Sequence, residues 1–180
     1  MNDTIEFLTN LRRIQYVERL AGSYKLRSYD NARHQYFVGV MFIRLAKEEN
    51  IPITVDILEK VLCHDLVELY TGDLLNTAKN ITPTAKKLWN EFESEIVNGI
   101  PSLFGYDDQS IHGSMTEDQF LLFKACDLLE LWCFCREEQI LGNSSSHNQK
   151  VVKNCEFLLF KAIERFPSIG EFMTGFEERI

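Results

Sequence analysis

His64 and Asp65 stand side by side near the end of an apolar, helix-patterned run, and Glu68 follows the histidine by four residues. Neighbouring positions on a helix lie about 100° apart, so an adjacent His and Asp can grip one ion from two angles. On the same geometry Glu68 lies one turn along from His64. A metal site needs more donors. His34 and Asp127 are the best candidates, because each sits among apolar residues that hold it toward the interior.

Two imidazoles and two carboxylates suit Mn, Fe, Co, Ni or Zn better than Mg or Ca, which prefer all-oxygen shells. Each residue also has an ordinary reading. An ionised Asp in apolar surroundings costs several kcal/mol unless it is paired or metal-bound, and Lys124 or Arg136 would serve Asp127 as ion-pair partner. A histidine near a helix start is more often a satisfied core or surface residue than a ligand. His112 and His147 stand in polar loops, where solvent accounts for them. What sets His34, His64-Asp65 and Asp127 apart is their order on three separate helical segments.

The elements that must position these groups are helical throughout, since apolar residues recur at helical rather than alternating spacing. A first helix starts near Asp3 or Thr4 and stops at Gly22. A second runs from Asp30 or Asn31 to Glu49, with His34 in its first turns, and ends before Pro52. Thr54 caps a third that continues through His64, Asp65 and Glu68 to Thr71-Gly72-Asp73, where glycine can adopt the left-handed conformation that closes a helix. Thr82 and Pro83 open a fourth, ending at Gly99. Residues 100–114 read as irregular. A fifth helix, capped by Thr116 with Glu117 and Asp118 in its first turn, reaches about Ile140. A sixth spans about Asn148 to Phe166, and a short tail follows Pro167 from Ile169. The expected architecture is an all-α, single-domain helical bundle over residues 1–180.

Composition narrows the function classes. The chain has 180 residues, a hydrophobic fraction of 45% and a net charge of -8, which fits one globular domain and argues against disorder. That acidity disfavours a nucleic-acid polymer or an anionic membrane surface as partner. Five cysteines, an odd number all in apolar helical stretches, read as buried thiols of a reducing, cytoplasmic compartment. Cys133 and Cys135 face away from each other on a helix, which argues against structural zinc. No run approaches the ~20 residues of a membrane span, and residues 1–9 carry no targeting signal.

The order His34, His64-Asp65, Asp127 resembles the HD-domain metal-dependent phosphohydrolases. The string His64-Asp65-Leu66-Val67-Glu68-Leu69-Tyr70-Thr71-Gly72-Asp73 is similar to the longer H-D-x-x-E-x-x-T-G-D signature of the small 5'-deoxynucleotidase branch, and the resemblance extends from Arg19 to about Gly142. It implies an HD-type helical bundle that hydrolyses the 5'-phosphate ester of 2'-deoxynucleotides. It further implies His34, His64, Asp65 and Asp127 as ligands of one divalent transition metal, Co, Mn or Zn rather than Mg. Glu68 would handle the proton of the attacking water or leaving group, with Asp65 at its side in the catalytic centre. Asp73 would meet the sugar 3'-hydroxyl, Arg19 the phosphate, and Lys79 would supply a basic group after the T-G-D turn.

Two departures bear on the substrate. Where the family commonly has Glu-His at the first ligand this chain has Arg33-His34, and Leu20 replaces a tryptophan after the phosphate arginine. Compact relatives, some viral, act on deoxynucleoside triphosphates, dATP in particular, releasing nucleoside and tripolyphosphate. Arg33, with Lys79, Lys86 and Lys87, could meet the extra charge, so monophosphate and triphosphate stand equal. Family members are commonly homo-oligomers, and Trp89, Phe92 and Phe160 could form a pairing face or belong to the core. The alternative from another class is a non-catalytic HD scaffold that senses a nucleotide or partner.

Overall fold

The computed structural model describes residues 2–74, 76–103, 105–106 and 108–180. The described chain is all-α; its extended pairing is limited to an isolated antiparallel bridge between Glu18 and Asp30. No helix in it is long and apolar enough to cross a membrane. The chain packs as two compact units, one formed by residues 1–22, 29–35 and 63–114, the other by residues 23–28, 36–62 and 115–180.

In the first unit, α1 (Asn2–Arg13) carries Asp3 in its first turn and Arg12 and Arg13 in its last, charges that complement the helix dipole. It does not reach Gly22 as the apolar spacing suggests. After a single 3-10 turn at Ile14–Tyr16 the chain becomes extended at Val17. There the Arg19 N–H donates to the Tyr29 carbonyl at 2.7 Å and the Asn31 N–H to the Val17 carbonyl at 3.0 Å. Backbone donors and acceptors committed to this cross-pairing are lost to a helical ladder. The bridge places Arg19 beside the start of α2 (Asn31–Glu48), whose first turn carries His34. The Asp30 carboxylate accepts from the Arg33 N–H at 2.9 Å and so begins that helix.

The run expected to be one helix from Thr54 to Thr71 is broken. It forms α3 (Val55–Leu62) in the second unit, then a tight turn over residues 63–67, then α4 (Glu68–Thr71) in the first. The break is a tightening of the winding, with each N–H reaching back three residues: Leu66 to Cys63 at 3.0 Å, Glu68 to Asp65 at 2.9 Å and Tyr70 to Val67 at 3.0 Å. Cys63, Leu66 and Val67 all remain buried in this form. Gly72 then turns the chain at φ 70°. Past α5 (Asn76–Lys79), α6 (Pro83–Gly99) begins as its sequence indicates, with the Thr82 hydroxyl accepting from the Ala85 N–H at 3.0 Å and Pro83 in the first turn. The stretch 100–114, expected to be irregular, contains a 3-10 turn at Pro101–Leu103 and α7 (Asp108–Gly113). His112 is on α7, not in a loop, and is exposed.

In the second unit, α8 (Glu117–Ile140) starts at a capping box in which the Gln119 N–H donates to Thr116 Oγ1 at 3.3 Å and the Thr116 N–H to Gln119 Oε1 at 2.8 Å. Leu122, Cys126, Leu129, Trp132 and Cys133 are buried on successive turns, as expected of a helix covered around most of its circumference. It packs with α9 (Ser146–Ile163), which contains His147, and α9 with α10 (Pro167–Glu177). The expected tail is therefore a helix, with Pro167 in the favoured first turn and Ile169 fully buried. Glu138, with no exposed surface, accepts from the Leu26 N–H at 2.6 Å, the Arg27 N–H at 3.2 Å and Asn143 Nδ2 at 3.0 Å. All five cysteines are buried free thiols, and burial pushes Cys135 and Cys155 up to about 12.

Candidate metal centre and active site

The tight turn at 63–67 and the first turn of α2 bring His34, His64 and Asp65 together. One donor atom from each lies within 4.8 Å of the other two. Asp65 Oδ2 is 3.4 Å from His64 Nε2 and 3.7 Å from His34 Nε2, and the two imidazole centroids are 5.3 Å apart. His34 is fully buried and the His64 side chain is 5% exposed. Metal–ligand distances of about 2.0–2.2 Å put neighbouring donors of a tetrahedral ion about 3.4 Å apart, so this set fits a borderline divalent ion with no large rearrangement. The Tyr29 hydroxyl lies 3.2 Å from His34 Nδ1. With Nδ1–H donating to that oxygen, the Nε2 lone pair is the one directed at Asp65 and His64.

Around this cluster the first unit arranges two cations and three more carboxylates. Arg19 Nη1 donates to Asp65 Oδ2 and, at 2.9 Å, to Asn31 Oδ1, while its guanidinium carbon lies 5.6 Å from the Tyr29 ring centroid. Asn31 Nδ2 donates to Glu68 Oε2 at 2.7 Å. Glu68 is 5% exposed; its burial first, and Asp65 second, push its carboxyl up to about 8, against the pull of Arg19. Lys79 Nζ stands 3.6 Å from Glu68 and 3.5 Å from Glu93, with the Trp89 ring centroid 5.2 Å away. Asp73 Oδ2 accepts from the Leu20 N–H at 2.7 Å, which ties the T-G-D turn to the segment carrying Arg19.

The sequence-derived residues thus divide. His34, His64, Asp65, Glu68, Arg19, Asp73 and Lys79 are gathered in one unit. Arg33 is exposed on α2, next to His34 in sequence. Asp127 belongs to α8 of the second unit, where its side chain is 23% exposed and Lys124 Nζ lies 3.4 Å from Oδ2, the pairing expected of an ordinary helix-internal aspartate. Two participants were not singled out from the sequence, Asn31 and Tyr29. Asn31 precedes His34 by three residues, a helical neighbour on the same face, and that spacing was the available signal. No periodicity marks Tyr29.

A family model described as 5'-deoxynucleotidase YfbR-like matches residues 6–180. The chain belongs to that family. It is an HD-domain phosphohydrolase, an enzyme acting on deoxynucleotides with a divalent metal, as the HD and T-G-D residues imply, and membership disfavours the non-catalytic scaffold. Solved structures share the fold. The HD phosphohydrolase DatZ of cyanophage S-2L, bound to dA and one catalytic Zn2+ ion, is 20% identical with a TM-score of 0.72, over 94% of this chain and 94% of its own. An HD-domain phosphohydrolase from Listeria innocua is 17% identical with a TM-score of 0.76, over 95% of this chain and 86% of its own. A conserved hypothetical protein from Pyrococcus furiosus is 18% identical with a TM-score of 0.64, over 91% and 99%. No curated protein matches the chain in sequence.

Proposed function

We propose that the protein releases a deoxynucleoside by hydrolysing the 5'-phosphate ester of a 2'-deoxynucleotide, at a divalent ion held by His34, His64, Asp65 and Asp127. The observation that carries this reading is the gathering of two imidazole nitrogens and a carboxylate oxygen within 4.8 Å, beside the buried carboxyl of Glu68. Asp127 is proposed as the fourth ligand from its place in the family's order of ligands and from a side chain largely withdrawn from solvent. When bound, such an ion lowers the pKa of water and neutralises phosphoryl oxygens. Zn, Co or Mn suits the nitrogen-containing donor set better than Mg, and the Zn2+ in DatZ supports that choice.

The chain's own groups supply the remaining chemistry. Glu68 accepts a proton from the attacking water and returns it to the 5' oxygen; burial raises its basicity toward the operating pH. Arg19 presents a planar fork that turns from Asp65 to the phosphate. Asp73 meets the sugar 3'-hydroxyl, and Lys79 adds positive charge beside Glu68.

Monophosphate is the favoured substrate. Arg19 contacts the ligand carboxylate directly, whereas Lys79 is engaged by both Glu68 and Glu93, a supply of charge suited to one phosphate. The triphosphate reading rests on exposed Arg33 beside His34 and on exposed Lys86 and Lys87. The two units act as one catalytic domain over 1–180, which the single family match across 6–180 supports. Five free cysteines support a cytoplasmic setting, and homo-oligomerisation, with Phe92 and Phe160 each exposed, belongs to the same proposal. Product analysis with dAMP and dATP, each with Mn, Co, Zn and Mg, tests it. Deoxyadenosine plus phosphate from dAMP supports the favoured substrate, deoxyadenosine plus tripolyphosphate from dATP supports the second, and binding without turnover contradicts both.

A further inference from the structure

We infer that Asn31 is a positioning residue whose single amide aligns both the phosphate-binding arginine and the proton-carrying carboxylate; the inference rests on the function proposed above. Asn31 is completely buried. Its Oδ1 accepts from Arg19 Nη1 at 2.9 Å and its Nδ2 donates to Glu68 Oε2 at 2.7 Å. The acceptor end faces a cation and the donor end an anion, so the amide dipole lies in the favourable sense between them, and reversing the amide would face oxygen against carboxylate. Its backbone is fixed independently, by the N–H bond to the Val17 carbonyl at 3.0 Å at the first position of α2.

Two consequences separate the two ends of the amide. The Oδ1 end restrains one arm of the guanidinium, so its loss leaves Arg19 oriented by Asp65 without this second acceptor and weakens phosphate binding. The Nδ2 end holds one oxygen of Glu68, leaving the other oxygen, Oε1, on the side of Lys79 at 3.6 Å. Losing that donor lets the carboxylate rotate away from its proton-accepting orientation. A hydrophobic residue at this position would leave two buried charged groups short of a partner. Asparagine supplies an acceptor and a donor at once without carrying a charge or needing a proton.

The test uses the full chain loaded with Mn, with dAMP or dATP as substrate, whichever the wild type turns over, and compares N31D and N31A. N31D keeps an oxygen facing Arg19 and puts a carboxylate oxygen in place of the N–H facing Glu68. The expected result is a KM within about twofold of wild type and a kcat lowered about tenfold or more, as replacing a hydrogen-bond donor to a carboxylate by a like charge implies. N31A removes both, so KM rises and kcat falls, each by about tenfold or more. If N31A does not fold, N31D alone still reads the Glu68 end. Wild-type kinetics in both variants, or equal effects of the two variants on KM and kcat, overturns the inference while an active wild type leaves the function standing. An inert wild type overturns the functional reading and this inference together.

Discussion

Glu68 is the residue whose environment contradicts its charge. A carboxyl that burial pushes from an ordinary 4.5 to about 8 binds its proton more tightly in the folded than in the unfolded chain. Before a cation is bound, stability contributed by that proton is complete below pH 4.5 and is lost as the pH rises toward about 8. Thermal unfolding of the metal-stripped protein should therefore show a fall in Tm across this window that E68Q flattens; an unchanged slope in E68Q would contradict the assignment. In the metal-loaded enzyme the same substitution removes the proposed proton acceptor, and kcat should drop about 100- to 10,000-fold with KM little changed. R19A should act on the other parameter, raising KM for the nucleotide by about tenfold or more in initial-rate kinetics. The gathering of His34, His64, Asp65 and Glu68 was legible from residue type and order. Asn31 was not, because an uncharged amide on a helix start has many ordinary reasons to be there, and its role is visible only once Arg19 and Glu68 stand on either side of it.

Among the elements, those with explicit start signals behave as their sequences indicate. Thr82-Pro83 and Thr116 with Gln119 open α6 and α8 through side-chain caps. T116A should lower stability by about 1 kcal/mol, measured by denaturant unfolding, and leave the kinetics of the metal centre untouched. Where the sequence misleads, long-range pairing overrides a local pattern. Val17 and Leu20 continue the apolar spacing of α1, yet the backbone bridge to 29–31 takes their segment out of the helix. His64 and Asp65 continue the spacing of α3, yet they sit in a tightened turn, and that turn rather than a helical 100° step sets the 3.4 Å between their donor atoms. The residues after Pro167 read as a short tail, yet proline is equally suited to begin a helix, as it does in α10.

At the scale of the whole molecule, acid should unfold the protein through the second unit. Hydrogen bonds from the Leu26 N–H, Asn143 and Arg27 hold Glu138 below the usual carboxyl value, although its burial works in the opposite direction. A depressed folded-state pKa means stability that is present above 4.5 and is lost as the pH falls through the folded value. E138Q should cost about 1.5–3 kcal/mol at neutral pH and show a shallower decline below pH 4.5 than the wild type; a parallel decline would contradict the role given to Glu138. The proposed metal site takes three of its ligands, His34, His64 and Asp65, from the other unit. Because only the folded chain offers that donor set, Zn at 100 times its Kd should stabilise the protein by about 2.7 kcal/mol, seen as a rise in Tm absent from H34A. Equilibrium dialysis of Zn against the metal-stripped chain, with the wild type beside H64A and D127A, tests the proposed metal site most directly. One ion bound per wild-type chain, with affinity lowered more than about a hundredfold in both variants, is the predicted result. Undiminished binding in H64A would contradict it.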